Sequence, residues 1–200
     1  MGELCLGSAS LASAFAAAAL IVACSSDDKS LGGTNSASGQ VDGRSLNVQD
    51  AVITSYPRAA SPWGGTELAP KLHIALSSAG ALCVHHEEAE GFIRHKNETW
   101  LALSVHSPGK PLETGKYPIN RAPRREDGRY ASAQFNVVDA ACASTSSKNA
   151  TGGSVTLTSL SDSDASGTYS LTFEGGGALE GSFSRVFCPD VPDRNAEGCK

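Results

Sequence analysis

A two-residue alternation of apolar and hydroxylated side chains in the last third of the chain sets the strongest limit on the fold. It occurs in three short runs, residues 153–160, 167–173 and 178–187. In the second run Tyr169, Leu171 and Phe173 share one parity, and threonine and serine share the other. Successive side chains of a strand point to opposite faces, so the pattern predicts strands with one buried and one solvated face.

The segments between these runs have the composition of tight reversals. Residues 162–164 read Asp-Ser-Asp, and residues 174–177 read Glu-Gly-Gly-Gly. Glycine adopts positive φ without steric cost, and aspartate can hydrogen-bond its own backbone, so both are favoured in turns. The three runs therefore predict an antiparallel three-stranded meander.

The same alternation recurs upstream. Its apolar members are Leu72, Ile74 and Leu76; Leu101, Leu103 and Val105; and Ala133, Phe135 and Val137. Residues 40–56 predict a short strand, a reversal near Asp42 and Gly43, and a second strand. Only residues 84–93 have a helical composition, which Gly91 weakens. We predict an all-β fold, an antiparallel β-sandwich or small barrel of about seven to nine strands with a C-terminal meander.

An alanine-rich apolar run at residues 11–23 ends at Cys24 and is followed by Ser-Ser-Asp-Asp. The run is typical of a signal peptide, and it is shorter than the roughly 20 residues that a spanning helix needs. We therefore predict a signal peptide over residues 1–23. An uncleaved N-terminal anchor, and cleavage without lipidation, are the alternatives.

Residues 20–24, Leu-Ile-Val-Ala-Cys, resemble a bacterial lipobox. The resemblance implies diacylglycerol on the Cys24 sulfur, cleavage after Ala23, and acylation of the new amino terminus with a fatty acid such as palmitate. Each buried methylene adds roughly 0.8 kcal/mol of membrane affinity, so the anchor would be effectively permanent. Ser25 at the second mature position resembles the outer-membrane sorting pattern, so we expect an outer-membrane, lipid-anchored protein of a Gram-negative cell envelope.

The residues after the lipobox separate the anchor from the domain. Residues 25–39 consist mostly of Ser, Gly, Asp and Asn, with Leu31 as the single large apolar side chain. Such a segment cannot bury enough apolar surface to order itself, which predicts a flexible tether over residues 24–39. The remaining residues, 40–200, form the predicted single β-rich domain.

The charge balance limits the partners of the chain. Sixteen Lys and Arg against 21 Asp and Glu give a formal net charge of −5. A basic surplus that would neutralise phosphates is missing, so we do not expect nucleic-acid binding. The expected partners are the membrane, through the lipid anchor, and an unknown protein or other envelope component.

Four cysteines remain in the mature domain if Cys5 leaves with the signal peptide and Cys24 is lipidated: Cys83, Cys142, Cys188 and Cys199. The even number and the oxidising compartment predict disulfide bonds. Three pairings are open. Without choosing among them, we favour a bridge at Cys199 that pins the tail, because the tail after Phe187 has almost no apolar residue to hold it in place.

Several segments together resemble poorly characterised Gram-negative lipoproteins. They are the three runs of the meander, LETGKYPI at residues 112–119, and GQVDGRSLNVQDA at residues 39–51. The resemblance covers most of residues 39–188. It implies a lipobox signal peptide and a single all-β domain, and it implies no particular activity.

One segment suits a metal. His85, His86 and Glu87, with His95 nearby, combine imidazole and carboxylate ligands that fit zinc or copper. In an extended chain His85 and Glu87 point to one side and His86 to the other, so a further ligand must come from elsewhere. The other interpretation is a solvated connection between strands.

A Pro-rich loop carries the main local concentration of arginine: Arg121, Arg124, Arg125 and Arg129. These side chains would suit a lipid A phosphate or an acidic partner. Glu126 and Asp127 lie among them, so the segment also fits a solvated loop.

Catalytic motifs are missing from the sequence. It contains no Gly-x-Ser-x-Gly, no His-Glu-x-x-His and no phosphate-binding Gly-x-x-x-x-Gly-Lys, so we expect neither an enzyme nor a cofactor. The predicted function is a membrane-anchored lipoprotein whose periplasmic or surface-exposed β-domain is a binding or structural module. The alternatives are a metal-binding protein that uses the 85–90 loop, and a barrel that holds a small apolar ligand in its mouth.

Overall fold

A computed structural model of the chain describes residues 34–60, 68–80, 86–87, 91–92, 95–121 and 128–188. These residues belong to one compact unit that spans residues 31–200. Within the described ranges every secondary-structure element is a β-strand, which confirms the all-β prediction. Within the same ranges, no helix has the length and apolar character to cross a membrane.

The described residues form eleven strands in chain order. They are β1 (Ser36–Gln40), β2 (Asp50–Ala60), β3 (Leu68–Ser77), β4 (His86–Glu87), β5 (Gly91–Phe92), β6 (Thr99–His106), β7 (Gly115–Pro118), β8 (Tyr130–Val138), β9 (Ser144–Leu160), β10 (Asp164–Phe173) and β11 (Ala178–Val186).

Nine of these strands make one antiparallel sheet in the order β1-β11-β10-β9-β8-β6-β3-β2, with β7 paired to β9. The sheet curls into a half-barrel that brings the end of β11 to β2. At this contact Arg185 lies 3.3 Å from Asp50, and the N–H of Cys188 donates to the carbonyl of Ile53 at 2.9 Å. The architecture agrees with the predicted sandwich or small barrel.

The predicted meander is present. Strands β9, β10 and β11 pair in sequence, and Tyr169 of β10 faces Val155 on one side and Gly181 on the other. Tyr169, Leu171 and Phe173 are all buried, as their parity predicts. The predicted reversal near residue 42 also occurs: Asp42 and Gly43 have φ of 50° and 71°, and Val41 and Arg44 exchange two backbone hydrogen bonds.

The first strand begins earlier than the sequence predicts. Strand β1 starts at Ser36, so residues 36–39 belong to the sheet and not to the tether predicted over residues 24–39. Composition misses this strand because its small polar residues are held by backbone pairing with β11, not by burial of apolar side chains. The Tyr169 hydroxyl adds a hydrogen bond of 2.8 Å to the carbonyl of Ser36.

Residues 84–93, which have a helical composition, contain strands where the structure describes them. His86 pairs with Phe92 and Glu87 pairs with Gly91, so β4 and β5 form a small two-stranded sheet of their own. The intervening residues 88–90 lie outside the described ranges.

Apolar side chains fill the inner face of the curled sheet. The largest fully buried ones are Ile53, Leu72, Ile74, Leu76, Leu101, Leu103, Tyr117, Phe135, Leu157, Leu171, Leu179 and Phe183. Phe135 packs edge-on against Phe173 at 6.1 Å between ring centroids. Tyr117 reaches the core from the loop side, where its hydroxyl donates to the Glu113 carbonyl at 2.6 Å and accepts from the Glu113 N–H at 3.1 Å.

Candidate functional site

The predicted lipidation site and two of the four disulfide candidates, Cys24, Cys83 and Cys199, lie outside the described residues. Cys142 lies in the turn between β8 and β9 with φ of 60°. Cys188 follows β11 and is buried against Val52 and Ala75 on the outer face of β2 and β3. Neither Cys142 nor Cys188 is a free thiol.

The predicted metal ligands are described only in part. His85 lies outside the described residues, and His86 and Glu87 form β4. The backbone N–H of His95 donates to a carboxylate oxygen of Glu98 at 2.8 Å. Among the residues that the structure describes, no group of three or more His, Cys, Asp or Glu is arranged to hold a metal ion. The metal alternative stays a prediction, because its ligand set is described only in part.

Two of the four arginines of the Pro-rich loop are described, and each has its own partner. Arg121 forms an ion pair with Glu174. The Arg129 guanidinium lies 5.5 Å from the ring centroid of Tyr117. Arg124 and Arg125 lie outside the described residues, so an anion site formed by all four arginines stays a prediction.

Glu98 is a buried carboxylate that joins the end of β3 to the start of β6. Only 3% of its surface is exposed. It accepts a short hydrogen bond from the hydroxyl of Ser77 and the bond from the His95 N–H. Ser77 in turn accepts from the N–H of Ala79 at 2.8 Å. A buried carboxylate that accepts two hydrogen bonds stabilises the structure around it, since both donors would lose their acceptor without it.

We expect Glu98→Ala to lower the free energy of unfolding by about 2 kcal/mol, because the buried Ser77 hydroxyl and the part-buried His95 N–H lose their acceptor. Glu98→Gln keeps one carbonyl oxygen and should cost about half as much. Urea denaturation of both variants beside the wild type measures the difference. An alanine variant as stable as the wild type would show that the carboxylate holds nothing in place.

Three ionisable side chains line up on the outer face of the sheet, and we call them the Lys–His–Tyr row: Lys71, His106 and Tyr130. Lys71 of β3 lies opposite His106 of β6, which lies opposite Tyr130 of β8. The rings of His106 and Tyr130 stack at 4.7 Å between centroids, with their planes 13° apart. Residues directly opposite in neighbouring strands have Cβ atoms about 5 Å apart, so the three side chains are neighbours in one continuous row.

The groups of the Lys–His–Tyr row are unusually dry for an outer sheet face. Burial lowers the pKa of the Lys71 ammonium and raises the pKa of the Tyr130 hydroxyl. Burial, together with the charge of Lys71, lowers the pKa of His106 to about 4. At neutral pH His106 is therefore a neutral imidazole with one N–H donor, next to a cation and a protonated phenol.

The next outward-facing positions along β3, β6 and β8 carry further hydrogen-bonding groups. His73 of β3 lies opposite Ser104 of β6, and His73 Nδ1 is 3.1 Å from the Ser104 hydroxyl. Ser132 of β8 completes this second row. The six outward residues of the two rows are Lys, His, Tyr and Ser, and none is acidic. Ionisable groups with shifted pKa values cluster at functional sites, which makes this surface the candidate site.

Part of this site could be predicted from the sequence. Lys71 alternates with Leu72, and His106 follows Val105, so parity alone places both outside the core. The missing information was the order and register of β3, β6 and β8, which bring residues 71, 106 and 130 side by side. Single-sequence patterns do not specify register between distant strands.

The described strands define the chain as an all-β protein with a curled antiparallel sheet. In the comparisons with known proteins, no family model, no curated protein and no solved structure matches the chain.

Proposed function

We propose that the chain is a lipid-anchored envelope protein, attached to the outer membrane through Cys24, whose β-domain is a binding module. The apolar run at residues 11–23, the lipobox-like residues 20–24 and the polar segment that follows support the anchor. The domain faces the periplasm or the cell exterior. Its role is to hold an envelope component near the membrane.

The observation that carries the binding role is the Lys–His–Tyr row. Its three ionisable groups are desolvated on an outer face, where alternating side chains of an antiparallel sheet are normally solvated. A partly desolvated cation and imidazole interact more strongly with a polar partner than the same groups in water would. The filled inner face favours this outer surface over a ligand inside the half-barrel.

The anchor is tested by labelling cells with radioactive palmitate. The wild type should incorporate label and sediment with membranes, and Cys24→Ala should lose both properties because residues 20–24 contain no other cysteine that could accept the lipid. Ser26→Ala, which leaves the lipobox intact and removes no disulfide candidate, is the matched control and should remain labelled. Label that persists in Cys24→Ala would overturn the proposed attachment.

We further propose that Cys83, Cys142, Cys188 and Cys199 form two disulfides, one of which ties Cys199 to the body of the domain. Each bridge stabilises a fold of this kind by roughly 2–4 kcal/mol. The native, unreduced mature protein should therefore remain unmodified by iodoacetamide in denaturant, and reduction should expose four thiols. Four alkylated cysteines without a reductant would contradict the proposal.

A further inference from the structure

The Lys–His–Tyr row combines one positive charge with neutral donors, and this combination selects for a class of ligand. We propose that the row binds an oxyanion, a phosphate or a carboxylate, between the Lys71 ammonium and the imidazole of His106. The inference rests on the binding role proposed above and names the chemistry of the ligand.

The donor set favours an anion. A lysine ammonium carries three N–H donors, so Lys71 can bond to a ligand in addition to the contacts that it already has. Neutral His106 carries one ring N–H. The hydroxyls of Ser104 and Ser132 lie in the neighbouring row of the same face. Groups that can donate therefore outnumber obligatory acceptors at this surface.

The charge and the burial also favour an anion. The six outward positions of the two rows include a cation and no carboxylate, so a ligand with negative charge meets no repulsion from these positions. Partial burial lowers the local dielectric constant, which strengthens an attraction between charges compared with the same pair in water. The stacked ring of Tyr130, only 3% exposed, fixes the His106 ring and so reduces the entropy cost of binding.

The register favours a small head group. Lys71 and His106 lie directly opposite each other on adjacent strands, so one phosphate or carboxylate can contact both side chains. A phosphate on a lipid or glycan and a carboxylate on a peptide offer the same chemistry here. The arms of the experiment separate these two sources.

The test is a titration of the mature protein, residues 24–200 without lipid, in which NMR of the His106 ring monitors binding. One arm uses inorganic phosphate and the other uses acetate. Saturable shifts of the His106 signal are expected in at least one arm. Lys71→Met should weaken the affinity by at least about tenfold, because a charge-assisted hydrogen bond is lost. Lys71→Arg keeps the charge and should retain most of the binding.

Lys116→Met is the matched control, since Lys116 is an exposed lysine on β7 away from the row. It should bind as the wild type does. Shifts that do not saturate, or that are the same in Lys71→Met and Lys116→Met, would overturn the oxyanion proposal. That result leaves the palmitate test of Cys24 unaffected, so the failure of the ligand class is distinguishable from failure of the anchoring role.

Discussion

Gly167→Ala is expected to lower the free energy of unfolding by about 3 kcal/mol, at the upper end of the cost of overfilling a packed site. A Cβ at this position would lie 2.2 Å from the backbone carbonyl of Thr156 and 2.7 Å from the Phe183 ring. Both atoms belong to neighbouring strands, so the sheet itself must shift to admit one methyl group.

The reason lies in two reciprocal pairs between β10 and β11. The ring of Phe183 occupies the space beside Gly167, and the phenol of Tyr169 occupies the space beside Gly181. A Cβ at Gly181 would lie 2.6 Å from the Tyr169 hydroxyl. Each aromatic ring thus covers the glycine of the other strand, an arrangement that stabilises glycine in sheets.

Thermal denaturation measures this effect. For a domain of this size a loss of about 3 kcal/mol lowers Tm by roughly 6–12 °C. Gly80→Ala makes the same chemical change where no atom lies within 4 Å of the added Cβ, so it should leave Tm nearly unchanged. Equal Tm values for the two variants would show that the contact at Gly167 is not tight.

Acidification from pH 7 to pH 4 is expected to destabilise the protein by roughly 3 kcal/mol through His106 alone. The pKa of His106 is about 4 in the folded protein, against 6.5 for an ordinary histidine. As the pH falls through 6.5, the unfolded chain binds a proton that the folded chain does not. Stability associated with neutral His106 is therefore complete above about pH 6.5 and is lost progressively down to about pH 4.

His106→Gln isolates this contribution, because glutamine stays neutral over the whole range. Urea denaturation at several pH values should show a smaller acid-induced loss in the variant than in the wild type, and the difference should approach 3 kcal/mol. Lys71→Met removes the repelling charge and should raise the pKa of His106, which NMR of the ring measures directly. Parallel pH profiles for wild type and His106→Gln would contradict the assignment.

Parity predicted which residues face the core. Leu72, Leu103 and Phe135 are all fully buried, as alternation indicates, because a strand leaves its side chains only two faces. The turn at Gly175–Gly177 was equally predictable: all three residues have positive φ, a conformation that glycine adopts without strain.

The remaining features depend on pairings between distant parts of the chain. Strand β1 lies against β11, about 140 residues later, and nothing in its Ser-Ala-Ser-Gly-Gln composition distinguishes it from a tether. The Lys–His–Tyr row likewise exists only because β6 lies between β3 and β8. Alternation within a strand carries no information on either pairing. The candidate sites predicted from the sequence were therefore clusters of residues that are adjacent in the chain.

Mass spectrometry of the amino-terminal tryptic peptide tests the central claim, lipid anchoring at Cys24, most directly. Lys29 is the first basic residue of the chain, so trypsin releases residues 24–29 from the processed protein and residues 1–29 from the unprocessed one. We predict peptide 24–29 with diacylglycerol on the Cys24 sulfur and a third acyl chain on its amino group. An unmodified peptide 1–29, or a processed peptide with a free Cys24, would contradict the account.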